Sequence, residues 1–422
     1  MQVRLAYGKE GLWVDLPDDN VTLVEPRFVP GLLNEMETIR SALREPIGTP
    51  PLRELVKPDD TVAIVFSDVT RPQPRKRMLP VLLEELSHLR PKSIFLVNAL
   101  GTHRPNTDEE IDGMLGREIR ESYRIVQHNA RDTDSMVHLG PTSRGHEVYI
   151  NGAYMEADVK ILTGVIEPHF FAGFSGGPKA VLPGLADQRS VLGNHDTEMI
   201  SHPKATWCVT QGNPIWEEMR EVAAKTEPSF LLNVTLNKNQ EITGVFAGDV
   251  LEAFAAGTAF ASESVMVPVS HSFDVVITTN SGYPLDLSLY QAVKGISAAA
   301  LVVREGGSII AAADCLEGIP DHGQYKNILK MADSPQQLLE IIKAPGFLMQ
   351  DQWQAQVQAQ IQLKADVYVK ASHLSDEQIR EALLLPCHSI SESVTRIQNS
   401  YGEQATICVL PEGPQTVPYV RQ

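Results

Sequence analysis

Short apolar runs separated by helical patterns constrain this chain more than any other feature. Residues 61–67 (TVAIVFS), 93–99 (SIFLVNA) and 158–163 (DVKILT) each read as a buried strand that stops where polar or glycine residues begin. The stretch 80–89 has helical spacing. A second series follows: strand 274–279 (DVVITT), helix 288–303, strand 308–312, a Gln-rich stretch 350–362 that reads as an amphipathic helix, and strands 366–370 and 406–410. Parallel strands need long crossovers, and helices supply them, so this alternation predicts parallel sheets with covering helices. We therefore expect an α/β fold of two α/β lobes with mainly parallel sheets and an active-site cleft between them. The expected lobes are 1–268, carrying cofactor and catalytic groups, and 269–403, with the tail 404–422 packing back on the first.

Composition narrows the partners. The chain has 422 residues, enough for more than one hydrophobic core. Its formal net charge is −17, from 36 basic and 53 acidic residues. That field repels polyanions and argues against a nucleic-acid partner. The four cysteines are scattered and form no CxxC, which argues against a disulfide framework or a structural zinc site. No apolar run approaches the roughly 20 residues that span a bilayer. The first residues lack a signal-peptide pattern. We expect a cytoplasmic protein without a membrane partner.

The motifs fall just after the first three strands, where ligands of parallel sheets sit. Residues 167–179 (EPHFFAGFSGGPK) combine His169, a glycine-rich turn and Lys179. Ser175, Gly176 and Gly177 read either as a cradle whose backbone N–H groups bind a phosphate or as a tight turn before a helix. It is not a Walker A loop, because Pro178 and Ala180 replace the second glycine and the hydroxyl residue. Lys179 is either a solvated amine or one that forms covalent bonds. His103, in Gly-Thr-His-Arg, and His169 suggest a general acid/base pair, the arrangement that inversion of a stereocentre wants. His195, in Gly-Asn-His-Asp, is a metal ligand or a helix-start residue. Asp68 and Arg71, in Ser-Asp-Val-Thr-Arg-Pro, are a surface pair or a clamp for a carboxylate or phosphate. Tyr290, Gln291 and Lys294 lie in Tyr-Gln-Ala-Val-Lys, with Gln291 and Lys294 on one helix face. The histidines at 88, 128, 138, 146, 202, 271, 322, 373 and 388 read as incidental.

At these residues the chain resembles the nickel-dependent lactate racemase family. Ser-Asp-x-Thr-Arg-Pro, Gly-Thr-His-Arg, Glu-Pro-His-Phe-Phe-Ala-Gly-Phe-Ser-Gly-Gly-x-Lys, His195 and Tyr-Gln-Ala-x-Lys occur in the family's order. One departure is Pro178, where the family often has a basic residue. The resemblance implies a nickel-pincer nucleotide, the nickel complex of pyridinium-3,5-bisthiocarboxylic acid mononucleotide, attached covalently to Lys179. It implies His195 as nickel ligand, which suits a soft thio-donor set completed by one imidazole. Ser175, Gly176 and Gly177 would receive the cofactor phosphate, Asp68 and Arg71 would line the same pocket, and Trp353 would pack beside the cofactor. Arg71, Tyr290, Gln291 and Lys294 would bind the substrate.

The implied reaction inverts C2 of a 2-hydroxy acid by proton-coupled hydride transfer, with His103 and His169 exchanging the hydroxyl proton. It further implies maturation partners: a carboxylase/hydrolase, a sulfur-insertion protein and a nickel-insertion protein. Two other readings stay open. One is a cofactor-independent isomerase using His103 and His169, and the other a non-catalytic protein that binds a phosphorylated ligand.

Overall fold

Six strands form the sheet that carries the sequence motifs. They are Val62–Ser67, Ile94–Ala99, Arg124–Gln127, Val159–Val165, Phe230–Leu236 and Ile242–Gly248. The structure, a computed structural model, describes every residue except 322, 403 and 422. Numbered along the chain, these strands lie in the spatial order 6-5-4-1-2-3. This is the strand order of doubly wound dinucleotide-binding sheets. All neighbours are parallel except the last pair, Phe230–Leu236 with Ile242–Gly248. Val62 to Phe66 are all buried, as expected of a strand covered on both faces. Ile64, Phe66, Leu96 and Ile161 pack with Ile39, Leu43, Met78 and Leu82 from the covering helices. Each such side chain contributes on the order of 1.5–3 kcal/mol.

The helix expected from residue 80 begins earlier, at Arg75, and runs Arg75–Glu85 with Pro80 inside it. Arg75 turns its guanidinium back onto the preceding loop, and that tertiary contact starts the helix where periodicity alone did not.

The second sheet is wholly parallel. Its order is Leu385–Pro386, Ala365–Lys370, Val303–Ala312, Phe273–Thr279, Ile407–Leu410 and Val21–Leu23. Two boundaries therefore differ from expectation. Met1–Arg27 belongs with Ser264–Gln422, and Phe28–Glu263 forms the other unit. The tail is built into the unit that holds Met1–Arg27: Ile407–Leu410 fills the slot between Phe273–Thr279 and Val21–Leu23, and Val417–Val420 pairs with Met266–Val269. A strand with two open hydrogen-bonding edges satisfies its backbone best between two partners, whatever its distance in sequence. The expected boundary at 403 is outside the described residues.

The helix expected over 288–303 ends at Ala300, and the next strand begins at Val303. A register shift between Phe273 and Val275 absorbs the extra residues. The Gln-rich segment forms the helix Gln352–Lys364, but it is not amphipathic. Gln352, Gln354, Gln356 and Gln358 are buried beside Trp353, Ala355 and Ala359. Three of these amides find backbone partners: Gln352 Oε1 accepts Met349 N–H at 2.9 Å, Gln354 donates to Tyr290 O, and Gln358 donates to Ala382 O at 2.7 Å. A buried amide is tolerated on these terms. Among the described residues no helix is long and apolar enough to cross a membrane.

Candidate active site

Strands Val62–Ser67 and Val159–Val165 pair from Val62–Val159 to Val65–Leu162 and then part. Val62–Ser67 meanwhile stays paired with Ile94–Ala99 as far as Ser67–Ala99. The parting strands are the first and fourth of the sheet, the point where the winding direction reverses. Crevices at such switch points are where doubly wound sheets hold ligands. Gln73 bridges the gap. It accepts from Ser67 N–H (2.8 Å) and donates to Thr163 Oγ1 (2.7 Å), which itself donates to Val65 O (2.6 Å).

Asp68 leaves the first strand and His103 follows the second. His103 Nδ1 lies 2.7 Å from Asp68 Oδ2. Thr70 Oγ1 donates to the other carboxylate oxygen at 2.7 Å. Burial alone would raise the Asp68 pKa, but His103, Arg71 and Thr70 together hold it down to about 2. The carboxylate is therefore ionised and draws the His103 proton to Nδ1, leaving Nε2 as the acceptor. Arg71 is half-buried and donates to Thr70 Oγ1 at 3.2 Å. The His103 loop is pinned by Gly101 N–H to Gly184 O (3.0 Å) and by a two-pronged Arg104–Glu110 pair at 2.8 and 2.6 Å.

His169 sits on a two-residue strand, Pro168–His169, paired with Gly173–Phe174. It is buried, and its Nδ1 accepts the Ala172 N–H at 3.2 Å. That bond selects the neutral tautomer with the proton on Nε2. In their neutral forms the two histidines are thus opposite in kind, His103 offering a lone pair and His169 an N–H.

His195 ends the helix Gln188–Asn194 and is 3% exposed. Burial, with the Lys179 charge adding to it, pushes its pKa down to about 3. The ring is a neutral imidazole, the form that binds metals. Phe171 stands between the two buried histidines, edge-on to both, with ring centroids 4.5 Å from His169 and 5.0 Å from His195.

The glycine turn is built for close approach more than for donating N–H groups. A Cβ on Gly173 would lie 2.3 Å from Val209 O, one on Gly176 2.6 Å from Asn233 Oδ1, and one on Gly177 2.4 Å from the Phe254 ring. All three residues have positive φ. The N–H groups of Ser175, Gly177 and Lys179 are spent on Glu167 O (2.8 Å), Asn233 Oδ1 (2.8 Å) and Gly176 O (3.2 Å). The Ser175 hydroxyl is buried and without a hydrogen-bond partner, a donor suited to an anion. The turn leads into a short 3-10 helix, Gly177–Ala180, which carries half-buried Lys179.

Tyr290, Gln291 and Lys294 lie in the other unit, on the helix Leu289–Ala300. Leu289, Ala292, Val293 and Ile296 are its buried face, and the three named residues are half-buried on the opposite side. The Tyr290 ring meets Tyr325 edge-on at 5.4 Å. Trp353 is buried in the neighbouring helix Gln352–Lys364, next to the Gln354 that holds Tyr290 O.

Comparison with known proteins gives the family. Residues 7–208 match the family model of the lactate racemase N-terminal domain, and residues 269–417 that of the lactate racemase C-terminal domain. The chain belongs to the lactate racemase family. A lactate racemase from Thermoanaerobacterium thermosaccharolyticum is 33% identical over 98% of both chains. One from Lactiplantibacillus plantarum is 35% identical over 97% of this chain and 98% of that one. The lactate racemase apoprotein structure from T. thermosaccharolyticum superposes with a TM-score of 0.93, at 32% identity and full coverage of both chains. A Thermotoga maritima protein, 19% identical, shares the fold with a TM-score of 0.70 over 93% of this chain and all of its own. Both curated relatives are named as racemases, which are isomerases, so this is an enzyme family.

Within this lactate racemase fold, sequence reasoning missed several residues. Arg75 is buried, and its guanidinium donates to the backbone oxygens of Ser67 (2.9 Å), Asp68, Arg71 (3.2 Å) and Gln73 (3.1 Å). It is the brace of the Asp68–Arg71 loop. Burial lowers its pKa to about 10, with Asp68 opposing, so it stays charged at neutral pH. Phe171 was read only as part of a motif, and Gln73 not at all. A Pro-Arg-Lys-Arg sequence signals nothing but a basic surface, so Arg75 was legible only once the chain was folded. His322 is outside the described residues.

Proposed function

We propose that this chain racemises or epimerises a small 2-hydroxy acid, lactate being the first candidate, with a nickel-pincer nucleotide tethered to Lys179. The observation that carries the reading is His195: an imidazole 3% exposed, held neutral by burial with the Lys179 charge adding to it. Among the described residues no group of three or more His, Cys, Asp or Glu side chains could hold a metal ion. One imidazole fits a metal whose other donors come with a cofactor. The unpartnered Ser175 hydroxyl fits a phosphate acceptor, and the glycines give the turn its tight approach.

When bound, such a cofactor supplies an acceptor for the C2 hydrogen as hydride, which no side chain can provide. The chain's own residues move the other proton. His103 Nε2, its ring held by Asp68, takes the hydroxyl proton on one side. His169 presents its Nε2–H to the oxygen from its own position beyond the fourth strand. General acid/base help of this kind is worth about 10²–10⁴-fold. Arg71, near the Asp68 carboxylate, is assigned to substrate or cofactor anion binding. Tyr290, Gln291 and Lys294 are assigned to the substrate carboxylate, and Trp353 to packing on the cofactor, by the sequence resemblance. The same resemblance assigns the maturation proteins as partners, and the scattered cysteines favour a cytoplasmic setting.

The test is intact mass and nickel content of protein produced together with the maturation proteins, beside Lys179→Ala. A mass adduct and nickel in the parent, both absent from the variant, are expected. No adduct, where a lactate racemase relative loads under the same conditions, overturns the tether. A substrate deuterated at C2 separates the chemistry: retention of the label supports hydride transfer, and wash-out into solvent favours a two-base isomerase.

A further inference from the structure

The loop carrying His195 is gripped on both sides by one polar network that includes a histidine read from sequence as incidental. His146 lies between two carboxylates. Its Nδ1 is 2.8 Å from Glu218 Oε1, and its Nε2 is 3.4 Å from Asp196 Oδ2. Glu218 is 2% exposed. Its Oε1 also accepts from Thr142 Oγ1 at 2.6 Å, and its Oε2 from Asn194 Nδ2 at 2.9 Å. Asn194 further donates to Ile215 O at 3.1 Å. Asp196 caps the following helix, Thr197–Ser201, by accepting Met199 N–H at 2.7 Å.

The residue before His195 is thus tied to His146 through Glu218, and the residue after it is tied to His146 directly. Gly193 makes room for this. A Cβ there would stand 3.0 Å from His146 Cγ. Each charged member of the network has a charged or hydrogen-bonded partner, the condition under which a buried polar cluster rigidifies its surroundings. The grip acts on the backbone at the two-residue corner between two helices, and so on the direction in which the His195 ring leaves it. A metal ligand needs that direction fixed before the metal arrives.

We propose that His146 and Glu218 are positioning residues that aim His195 at the cofactor metal. The inference rests on His195 being the metal ligand. It assigns the Thr142–Glu218–His146–Asp196 chain a role in metal retention, beyond joining the helix Pro214–Lys225 to its neighbours.

The test uses the nickel-loaded holoenzyme with His146→Leu, and with His146→Gln in case the first does not fold. Nickel release to a chelator is followed over time, together with the visible absorption of the metal centre and the mass adduct on Lys179. Both variants are expected to keep the adduct, shift the absorption bands and release nickel about 10–100-fold faster than the parent, the usual cost of losing an outer support of a metal ligand. A folded His146 variant with parental spectrum and parental release overturns the proposal. His195→Ala is run alongside. If it also retains nickel at the parental rate, the ligand assignment itself fails and the inference falls with it. If it loses nickel while the His146 variants do not, only the positioning role falls.

Discussion

His103 Nδ1 and Asp68 Oδ2 are 2.7 Å apart, although the two residues follow different strands and stand far apart in sequence. The bond works because neighbouring parallel strands end together at Ser67 and Ala99, which brings both loops to one edge of the sheet. Asp68 is buried while His103 is largely exposed, so the carboxylate is fixed and the imidazole is the part presented to a ligand. Asp68→Asn keeps the shape and removes the charge that holds the proton on Nδ1. We expect kcat to fall by about 10²-fold or more with KM little changed, as for loss of an aligned general base. Steady-state kinetics of the loaded enzyme measure this, and an unchanged kcat rejects the dyad.

The same carboxylate makes a pH prediction. Its folded pKa, about 2, lies below the 3.8 of an unperturbed Asp. A depressed carboxylate contributes stability that is present above its unfolded pKa and lost as pH falls through the folded one. Urea unfolding midpoints between pH 4 and pH 2 should fall more steeply in the parent than in Asp68→Asn. Parallel curves would count against the ionised assignment.

His146 titrates in the opposite sense. Hydrogen bonds to Asp196 and Glu218 raise its pKa to about 10, against the cost of burial. A raised histidine contributes stability that is complete below its unfolded value near 6.5 and lost as pH rises toward 10. The His146 side chain is partly open to solvent, so the effect is modest. His146→Gln should flatten the decline in thermal midpoint between pH 7 and pH 10. A decline identical to the parent's excludes the charged bridge.

Arg75→Met should destabilise the protein by about 2–4 kcal/mol, because the carbonyls of Ser67, Asp68, Arg71 and Gln73 lose a buried donor at once. Denaturant unfolding gives the number. A loss below ~1 kcal/mol shows that water reaches these carbonyls.

In the glycine turn, Gly173→Ala and Gly177→Ala meet different obstacles. The first drives a Cβ onto the backbone oxygen of Val209, which cannot turn aside, and the second onto the Phe254 ring. Both force a positive φ on alanine. We expect each to cost about 2–4 kcal/mol, and Phe254→Ala to recover part of the loss for Gly177→Ala only. Recovery in both backgrounds, or in neither, contradicts the close contacts. Ser175→Ala, by contrast, should leave the apoprotein at least as stable, since its hydroxyl has no partner to lose.

Much of the architecture was legible because buried parallel strands announce themselves. Runs such as VAIVF and IFLV have no other economical use, and the motif loops that follow them had to lie at one edge. The glycine turn was legible as a turn, but its reason was not. Sequence suggested N–H groups exposed to an anion, whereas the turn spends most of them on Glu167, Asn233 and its own backbone. The Gln-rich helix misled because its glutamines look like a solvent face, and only neighbouring backbone carbonyls make their burial tolerable.

The sequence by itself determined the α/β class, the two parallel series and the residues that belong to the lactate racemase pattern, because hydrophobic periodicity and local motifs are written in consecutive positions. Tertiary structure alone decided three things. It placed Met1–Arg27 and Ile407–Leu410 in one sheet, since open strand edges take whichever partner satisfies their backbone. It made Arg75 the brace of the Asp68 loop and His146 the clamp around His195. It also separated His103 and His169 in kind, one bonded to a carboxylate and one to a backbone N–H. Burial and hydrogen-bond partners come from chain segments distant in sequence, so a histidine's tautomer and charge are properties of the fold.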